Sequence, residues 1–317
     1  MRRPHCHMGM KDDVRQDVCA LDESVSAEQR TLLGLAYRML GSIHDAEDVV
    51  QEAYSRLYAM PEEARRDIRA PIAWLTRVVG RICLDQLTSA RVRRERYVGE
   101  WIPEPLRDHG AWSSTRAGQA DPADQVTLDE SVSMGMLVIL ESVTPAERVA
   151  FVLHDVFGLP FTEIAEVAGR TPQACRQLAV SARRRLAEGR ARPLAGVERH
   201  RHVVSAFKRA CESGDFDDLV AVLDPGVSVH TDGGGKVRAG LRAVVGAAKV
   251  ARLFAGLLRK QPGLEFAEES VNGRPGIVIR LHGATVAVVA TEAGGDALTR
   301  IWVVVNPDKL HAWTGRY

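Results

Sequence analysis

The sequence predicts a multidomain chain: two all-α helical units followed by an α+β domain with a curved antiparallel sheet. Three observations lead there. Through most of 24–96 and 129–192, apolar residues recur at three- and four-residue spacing, the period of helices buried on one side. Within the second stretch, residues 162–186 read as two helices joined at Gly169, the core of a helix-turn-helix. After about Arg192 the pattern changes. Helices at about 199–213, 215–223 and 241–259 alternate with Val-rich runs at 227–230, 264–271, 276–281, 285–290 and 298–305. Consecutive short strands with tight turns after a long helix are the signature of an α+β domain.

In chain order, residues 1–23 are polar and irregular and read as a disordered tail. Leu32, Leu33, Leu35, Ala36, Met39 and Leu40 mark a first helix, which Gly41-Ser42 breaks. A second runs from about Asp45 to Tyr58, with Ala46, Val49, Val50, Ala53 and Leu57 on its inner side. Pro61 to Ala70 reads as a charged loop. Pro71 suits a first helical position, and a third long helix follows to about Arg94, with Ile72, Leu75, Val78, Val79, Ile82 and Leu87 as its buried side. Residues 97–128 read as a linker whose first half has apolar anchors and whose second half is rich in Ser, Gly, Asp and Pro. Helices resume over 129–143. Thr144-Pro145 with Glu147 forms a capping box for a helix to Phe157. The last domain spans 199–317.

Composition narrows the class. The chain has 317 residues, 45% apolar and 5% aromatic, with five scattered cysteines and no apolar run long enough to span a membrane. The cysteine pattern and the absence of a signal-type N-terminus predict a cytoplasmic protein with reduced thiols. Neither a cofactor nor a metal is expected; His5-Cys6-His7 is a short cluster in a polar terminus. Net charge is only +1, but its distribution is uneven. Residues 28–67 hold eight acids and five arginines, 69–96 seven arginines and two acids, and 170–192 seven arginines and one acid. Two basic segments on separate helices are the footprint of phosphate contact at two places.

The helix-turn-helix carries the first. In its second helix Cys175, Ala179, Ala182 and Leu186 share the inner face, so Cys175 reads as a small core residue. Thr171 caps that helix and Pro172 opens it. Gln173, Arg176, Gln177 and Val180 then face outward where base edges are read, Arg and Gln being able to pair with guanine and adenine edges. Arg183, Arg184 and Arg185 suit phosphates.

The N-terminal unit carries a resemblance. Asp45-Ala-Glu-Asp-Val-Val-Gln-Glu-Ala53, Ala73-Trp-Leu-Thr-Arg-Val-Val79 and Asp85-Gln-Leu-Thr-Ser-Ala-Arg-Val-Arg-Arg94 resemble region 2 of bacterial sigma factors. With the helix-turn-helix as region 4, residues 24–96 and 129–190 resemble the extracytoplasmic-function (ECF) sigma-70 family. The resemblance implies that Asp45, Glu47, Asp48, Gln51, Glu52 and Arg56 bind core RNA polymerase. It implies that the loop at 62–69 with Trp74, Arg77, Arg81, Arg91, Arg93 and Arg94 reads the −10 element as melted strand, stacking bases and tracking the backbone. Thr171, Gln173, Arg176, Gln177, Val180, Arg183 and Arg184 would read the −35 element as duplex. The family commonly has an asparagine near Arg81; this chain lacks it, so base-pocket chemistry is not carried over there. Trp74 also fits a core anchor.

The remaining third resembles the SigJ-like subgroup, in which a SnoaL-like domain of the NTF2-like fold follows region 4. Tyr97-Val-Gly-Glu-Trp-Ile-Pro-Glu-Pro-Leu106, Asp232-Gly-Gly-Gly-Lys236 and Asn306-Pro-Asp-Lys-Leu310 carry that likeness. It implies a domain that regulates the sigma factor in cis, with Trp101, Pro103, Asp232, Gly233, Gly234, Gly235, Lys236, Asn306, Pro307, Asp308 and Lys309 at interdomain contacts. The free chain is expected to be a compact monomer whose third domain holds the DNA-binding units in an arrangement unsuited to promoter spacing. A one-component helix-turn-helix regulator with a ligand-sensing C-terminal domain is the alternative. The same fold hosts small ligands and enzymes, for which His230, His282 and Asp232 are the acid–base groups near strands. The Val, Ile and Ala of the strand interiors speak against catalysis.

Overall fold

A computed structural model describes residues 28–94, 97–107, 132–189 and 194–314, the side chains of 90–94 excepted. Helix α1 covers 28–40. Ser42 accepts from the Asp45 amide at 3.2 Å and starts α2, Ile43–Ala59. The segment expected to be a charged loop instead winds one short helix, α3, Glu62–Arg66. Acids in its first turn and arginines in its last match the helix dipole, and Glu62 pairs with Arg66 one turn on. Helix α4 is Pro71–Arg94.

The second helical unit holds α5, Met134–Glu141, and α6, Pro145–Phe151, started by the expected Thr144–Glu147 capping box. Beyond Phe151 the helix does not continue as α to Phe157. It widens into a π turn, Val152–Val156, whose extra residue turns Asp155 toward Arg183 at 2.6 Å and stacks His154 on Phe161 at 3.9 Å. Helices α7, Phe161–Ala168, and α8, Pro172–Gly189, follow. Gly169 between them has φ 62°, a left-handed cap that glycine adopts freely.

The two helical units share one core. Buried side chains run from Leu32 to Leu186 without a break and take in Leu106 of the linker. Gly80 makes the close approach possible: a Cβ there would press on Val167 at 3.2 Å and Leu153 at 3.3 Å. Arg148, 3% exposed, crosses the seam, donating to the Met39 carbonyl at 2.7 Å and pairing with Glu141 at 2.6 Å.

The third domain begins with α9, Val197–Ser213, and α10, Phe216–Ala221. Then come β1, Leu223–Asp232, β2, Val244–Val245, and α11, Ala247–Lys260. Strands β3, Leu264–Val271, β4, Arg274–Leu281, β5, Ala284–Gly294, and β6, Ala297–Val304, complete the sheet. The long helix starts at 247 rather than 241, because 244–245 pairs with β1. Strand order is β2-β1-β6-β5-β4-β3. The sheet is not wholly antiparallel: β6 returns beside β1 in the same direction, since α11 and three hairpin-linked strands separate them. Short 3₁₀ turns at Pro307–Lys309 and His311–Trp313 follow β6.

Both faces of this sheet are covered. Helices α9 to α11 pack Val204, Phe207 and Phe254 against part of the concave face. On the other face Ile102 of the linker and Met134 of α5 pack on Val278, Val288 and Trp302. Hence β4 and β5 are apolar at successive positions rather than alternating, as strands buried on two sides must be.

The β3–β4 hairpin turns on Asn272-Gly273, both at positive φ (51° and 73°). The Asn272 side chain, 1% exposed, accepts from the Leu106 amide at 3.0 Å and donates to Tyr37 Oη and the Val132 carbonyl, each at 2.9 Å. One side chain thus ties α1, the linker and the entry to α5 to the third domain. Asn272→Gly keeps the turn and removes all three bonds. It is expected to lower the unfolding free energy by about 2–4 kcal/mol, the cost of leaving buried polar groups unmatched. Chemical denaturation measures this, and a loss below about 1 kcal/mol would mean the bridge contributes little.

Candidate nucleic-acid interface

The outer face of α2 presents Glu47, Asp48, Gln51, Glu52 and Arg56 to solvent, while Ala46, Val49, Val50, Ala53 and Leu57 are buried. Asp45 is half-buried in the first turn. The pairs on this face, Glu52–Arg56 at 2.9 Å and Asp48–His44 at 3.7 Å, are exposed and weak, so the strip stays acidic and open.

Helix α4 presents its arginines elsewhere. Arg77 lies 3.6 Å from Glu163 and 3.8 Å from Glu166 of α7, and Arg81 donates to the Val167 carbonyl at 2.9 Å. Arg56, Trp74, Arg77, Arg81, Glu166 and Val167 line a hollow of about 310 Å³ between the two helical units. Trp74 is half-buried, its ring packed on the core edge and reaching the hollow. Of the residues expected to meet melted strand, Trp74, Arg77 and Arg81 therefore lie beside the first helix of the helix-turn-helix. The side chains of Arg91, Arg93 and Arg94 lie outside the described ones.

In α8, Thr171 accepts from the Ala174 amide at 3.2 Å, and Cys175, Ala179, Ala182 and Leu186 are buried. Gln173, Arg176, Gln177, Val180, Arg183 and Arg184 are all exposed. Arg176 sits 5.5 Å over the Phe161 ring. The arginine triplet is not uniform. Arg183 pairs with Asp155, and Arg185 turns inward to Glu147 at 3.5 Å and toward the Ser142 carbonyl. Among the described residues Arg184 reaches only Glu188, at 3.9 Å, and the two side chains are 71% and 69% exposed.

The linker is clasped between α1–α2 and the third domain. Asp232, fully buried, accepts from Tyr97 Oη at 2.6 Å and from the Ile102 and Gly234 amides, each at 3.0 Å. It pairs with Lys309 at 2.7 Å. The Lys309 ammonium also donates to the Ile102 carbonyl and sits 4.1 Å over the Trp101 ring. Burial first, then the bond to Asp232, holds the Tyr97 phenol above its usual range, so it remains a donor. Asn306 donates to Tyr97 Oη at 3.0 Å, and a Cβ on Gly234 would collide with Asn306. Gly235 faces Val98, and Gly233 faces the Val237 carbonyl. Lys236 reaches Asp308 at 2.7 Å, an exposed pair, and Pro307 opens the turn.

On the other side, Trp101 and Pro103 pack on Gly41. The Glu104 amide donates to the Gly41 carbonyl at 2.8 Å, Glu104 Oε2 accepts from the Ile43 amide at 2.8 Å, and Tyr37 donates to the Glu104 carbonyl at 2.6 Å. Burial pushes the Glu104 carboxyl up to about 7, further raised by Glu47 and Asp45 and opposed by the Ile43 amide and Lys309. Tyr37, Glu104, Arg148 and Asn272 were not singled out from sequence. The Asn-Gly pair marks a hairpin turn, but nothing local says that its side chain reaches three other segments.

None of the groups weighed for acid–base catalysis is among the residues that line the cavity of the third domain. His230 pairs with Glu100 of the linker at 2.7 Å, His282 lies in an exposed turn, and Asp232 belongs to the clasp.

Comparison with known proteins accords with this architecture. The family described as Sigma-70 region 2 matches residues 25–93, and Sigma-70, region 4 matches 134–186. A probable ECF RNA polymerase sigma factor, SigI, of Mycobacterium tuberculosis is 41% identical over 288 residues, covering 90% of this chain and 92% of that protein. The ECF RNA polymerase sigma factor SigJ of the same organism is 37% identical over 295 residues, 90% of this chain and 91% of SigJ. The crystal structure of M. tuberculosis SigJ superimposes with a TM-score of 0.70 at 33% identity, covering 92% of this chain and 98% of that one. The chain belongs to the ECF RNA polymerase sigma factors of the sigma-70 family, with regions 2 and 4 followed by an NTF2-like domain.

Proposed function

We propose that this chain works in the cytoplasm, as a monomer when free, and joins core RNA polymerase through the acidic face of α2. In promoter complexes α4 opens and holds the −10 strand, with Trp74, Arg77 and Arg81 at its surface, and α8 reads the −35 duplex. The third domain acts in cis, controlling the distance between α4 and α8. One observation carries this reading: Arg77 and Arg81 of α4 are engaged by Glu163, Glu166 and Val167 of α7 while the linker is clasped. A duplex reader and a strand reader pressed together cannot occupy two promoter elements at once, so polymerase binding must separate them. No helix among the described residues is long and apolar enough to cross a membrane.

Charge reversal at Asp48→Lys with Glu52→Lys, on an exposed helix face, should abolish co-purification with core polymerase while leaving the fold intact. Retention of the complex would exclude α2 as the contact and favour a one-component regulator.

For cis control, the chain ending at residue 192 and the full-length Asp232→Asn variant are each expected to change run-off transcription several-fold relative to the parent. Identical initiation by all three on one promoter discards the regulatory reading.

The clasp is also expected to respond to pH. The Glu104 carboxyl is raised in the docked state, to about 7 from 4.5, so the docked state binds its proton more tightly. Its contribution is then fully present below about 4.5 and is lost as pH rises through about 7. Unfolding free energies of parent and Glu104→Gln, compared from about pH 5 to about pH 8, should diverge, with the glutamine variant gaining relative stability toward high pH. Parallel pH curves would count against the assignment.

A further inference from the structure

The third domain encloses a cavity of about 540 Å³. That lies within the roughly 300–1,000 Å³ range of small-molecule sites. Its wall is largely apolar, with Val229, Phe254, Ile279 and Leu310 among the lining side chains. Val237, Leu253 and Leu257 line the mouth while remaining 42%, 42% and 38% exposed. Large apolar side chains left wet around an apolar cavity favour an apolar guest. Arg238 is the one charged side chain in the lining, and it makes no ion pair among the described residues.

The cavity and the clasp are two sides of the same two segments. In the first, Thr231, Val237, Arg238 and Gly240 face the cavity, while Asp232, Gly234 and Lys236 face the linker or its supporting turn. In the second, Val305, Pro307 and Leu310 face the cavity, while Asn306 and Lys309 hold Tyr97 and Ile102. The turn that joins the two faces is tight: the Lys236 and Val237 amides donate to the Gly233 carbonyl at 3.0 and 3.1 Å, and the Gly234 amide donates to Asp232 at 3.0 Å. Arg238 is thus one hydrogen-bonded turn away from Asp232.

We propose that this cavity binds a small aliphatic monocarboxylate, tail inside the cone and carboxylate on Arg238, and that its binding changes the grip of Asp232 and Lys309 on the linker. The coupling rests on the reading that the third domain controls the helical units; the binding site does not.

The test titrates the full-length protein with straight-chain carboxylates from hexanoate to hexadecanoate by calorimetry, with the matching alcohols as uncharged controls. Saturable binding below about 1 mM that tightens with chain length is expected. Arg238→Gln should weaken carboxylates about tenfold and leave alcohols unchanged. Ala287→Phe, which fills the cavity, should abolish both. Because Ala287 is buried, Leu257→Glu at the exposed rim supplies a second variant, expected to repel carboxylates by like charge without disturbing the core. Hydrogen exchange at the Ile102 and Gly234 amides, both donors to Asp232, should change several-fold on saturation. No binding by any chain length, or binding indifferent to Arg238→Gln and Leu257→Glu, overturns the site. Binding with unchanged exchange at both amides overturns the coupling. Neither measurement involves polymerase, so a failure of cis control, read from transcription, is seen separately.

Discussion

The arrangement of this molecule depends on one buried carboxylate. Asp232 has no exposure to solvent and takes four donors: a phenol, two backbone amides and the Lys309 ammonium. Burying two charges costs several kcal/mol per ion, and only a fully satisfied pair recovers it. Two of the donors, Tyr97 and the Ile102 amide, come from the linker, so the pair is complete only while the linker is docked. An undocked linker would leave Asp232 and Lys309 short of partners beside a wet sheet end. That makes docking close to all-or-none, a property suited to a switch.

From that clasp the chain is laid out on both sides. Ile102 covers the outer face of the sheet, Glu104 meets the start of α2, and Leu106 enters the helical core. Because α5 also packs on the sheet, with Gly135 close against Glu292 and Trp302, the second helical unit is fixed to the same surface. Arg300 donates to the Gly189 carbonyl at 2.6 Å and the Ala195 amide to the Ala293 carbonyl at 2.9 Å, extending this seam to the end of α8. Among the described residues, the outer faces of α2 and α8 stay exposed beside the third domain. That domain packs on what lies between them: the linker, α5 and the end of α8.

The seam between the helical units combines two kinds of contact. Its apolar part, around Gly80, Leu153 and Val167, excludes water over a large area and supplies most of the attraction. Its polar part is specific: Arg148 is buried with defined partners, whereas the ion pairs of Arg77 are half-exposed and contribute little stability. The carboxylates that meet Arg77 lie 3.6–3.8 Å away and are part-exposed, so this edge of the seam is the weaker one.

The sequence by itself determined the helices and strands and their inner faces. The capping box at Thr144, the glycine at 169, the Asn-Gly turn at 272 and the spacing of Cys175, Ala179, Ala182 and Leu186 are local signals that need no tertiary context. The exposed faces of α2 and α8 follow, because a helix with a buried stripe must present the opposite one. Tertiary structure alone decided the π turn after Phe151, the parallel return of β6 and the fusion of two expected units into one core. It also decided which arginines are engaged: Arg81 and Arg185 carry the same chemistry as Arg184, yet they find partners on neighbouring helices. The continuous Val and Ile runs of β4 and β5 held a readable clue that both sheet faces are covered, but not what covers them. Periodicity reports how much of a side chain is buried; the identity of the partner depends on contacts between residues as far apart as Tyr37 and Asn272, which no local pattern encodes.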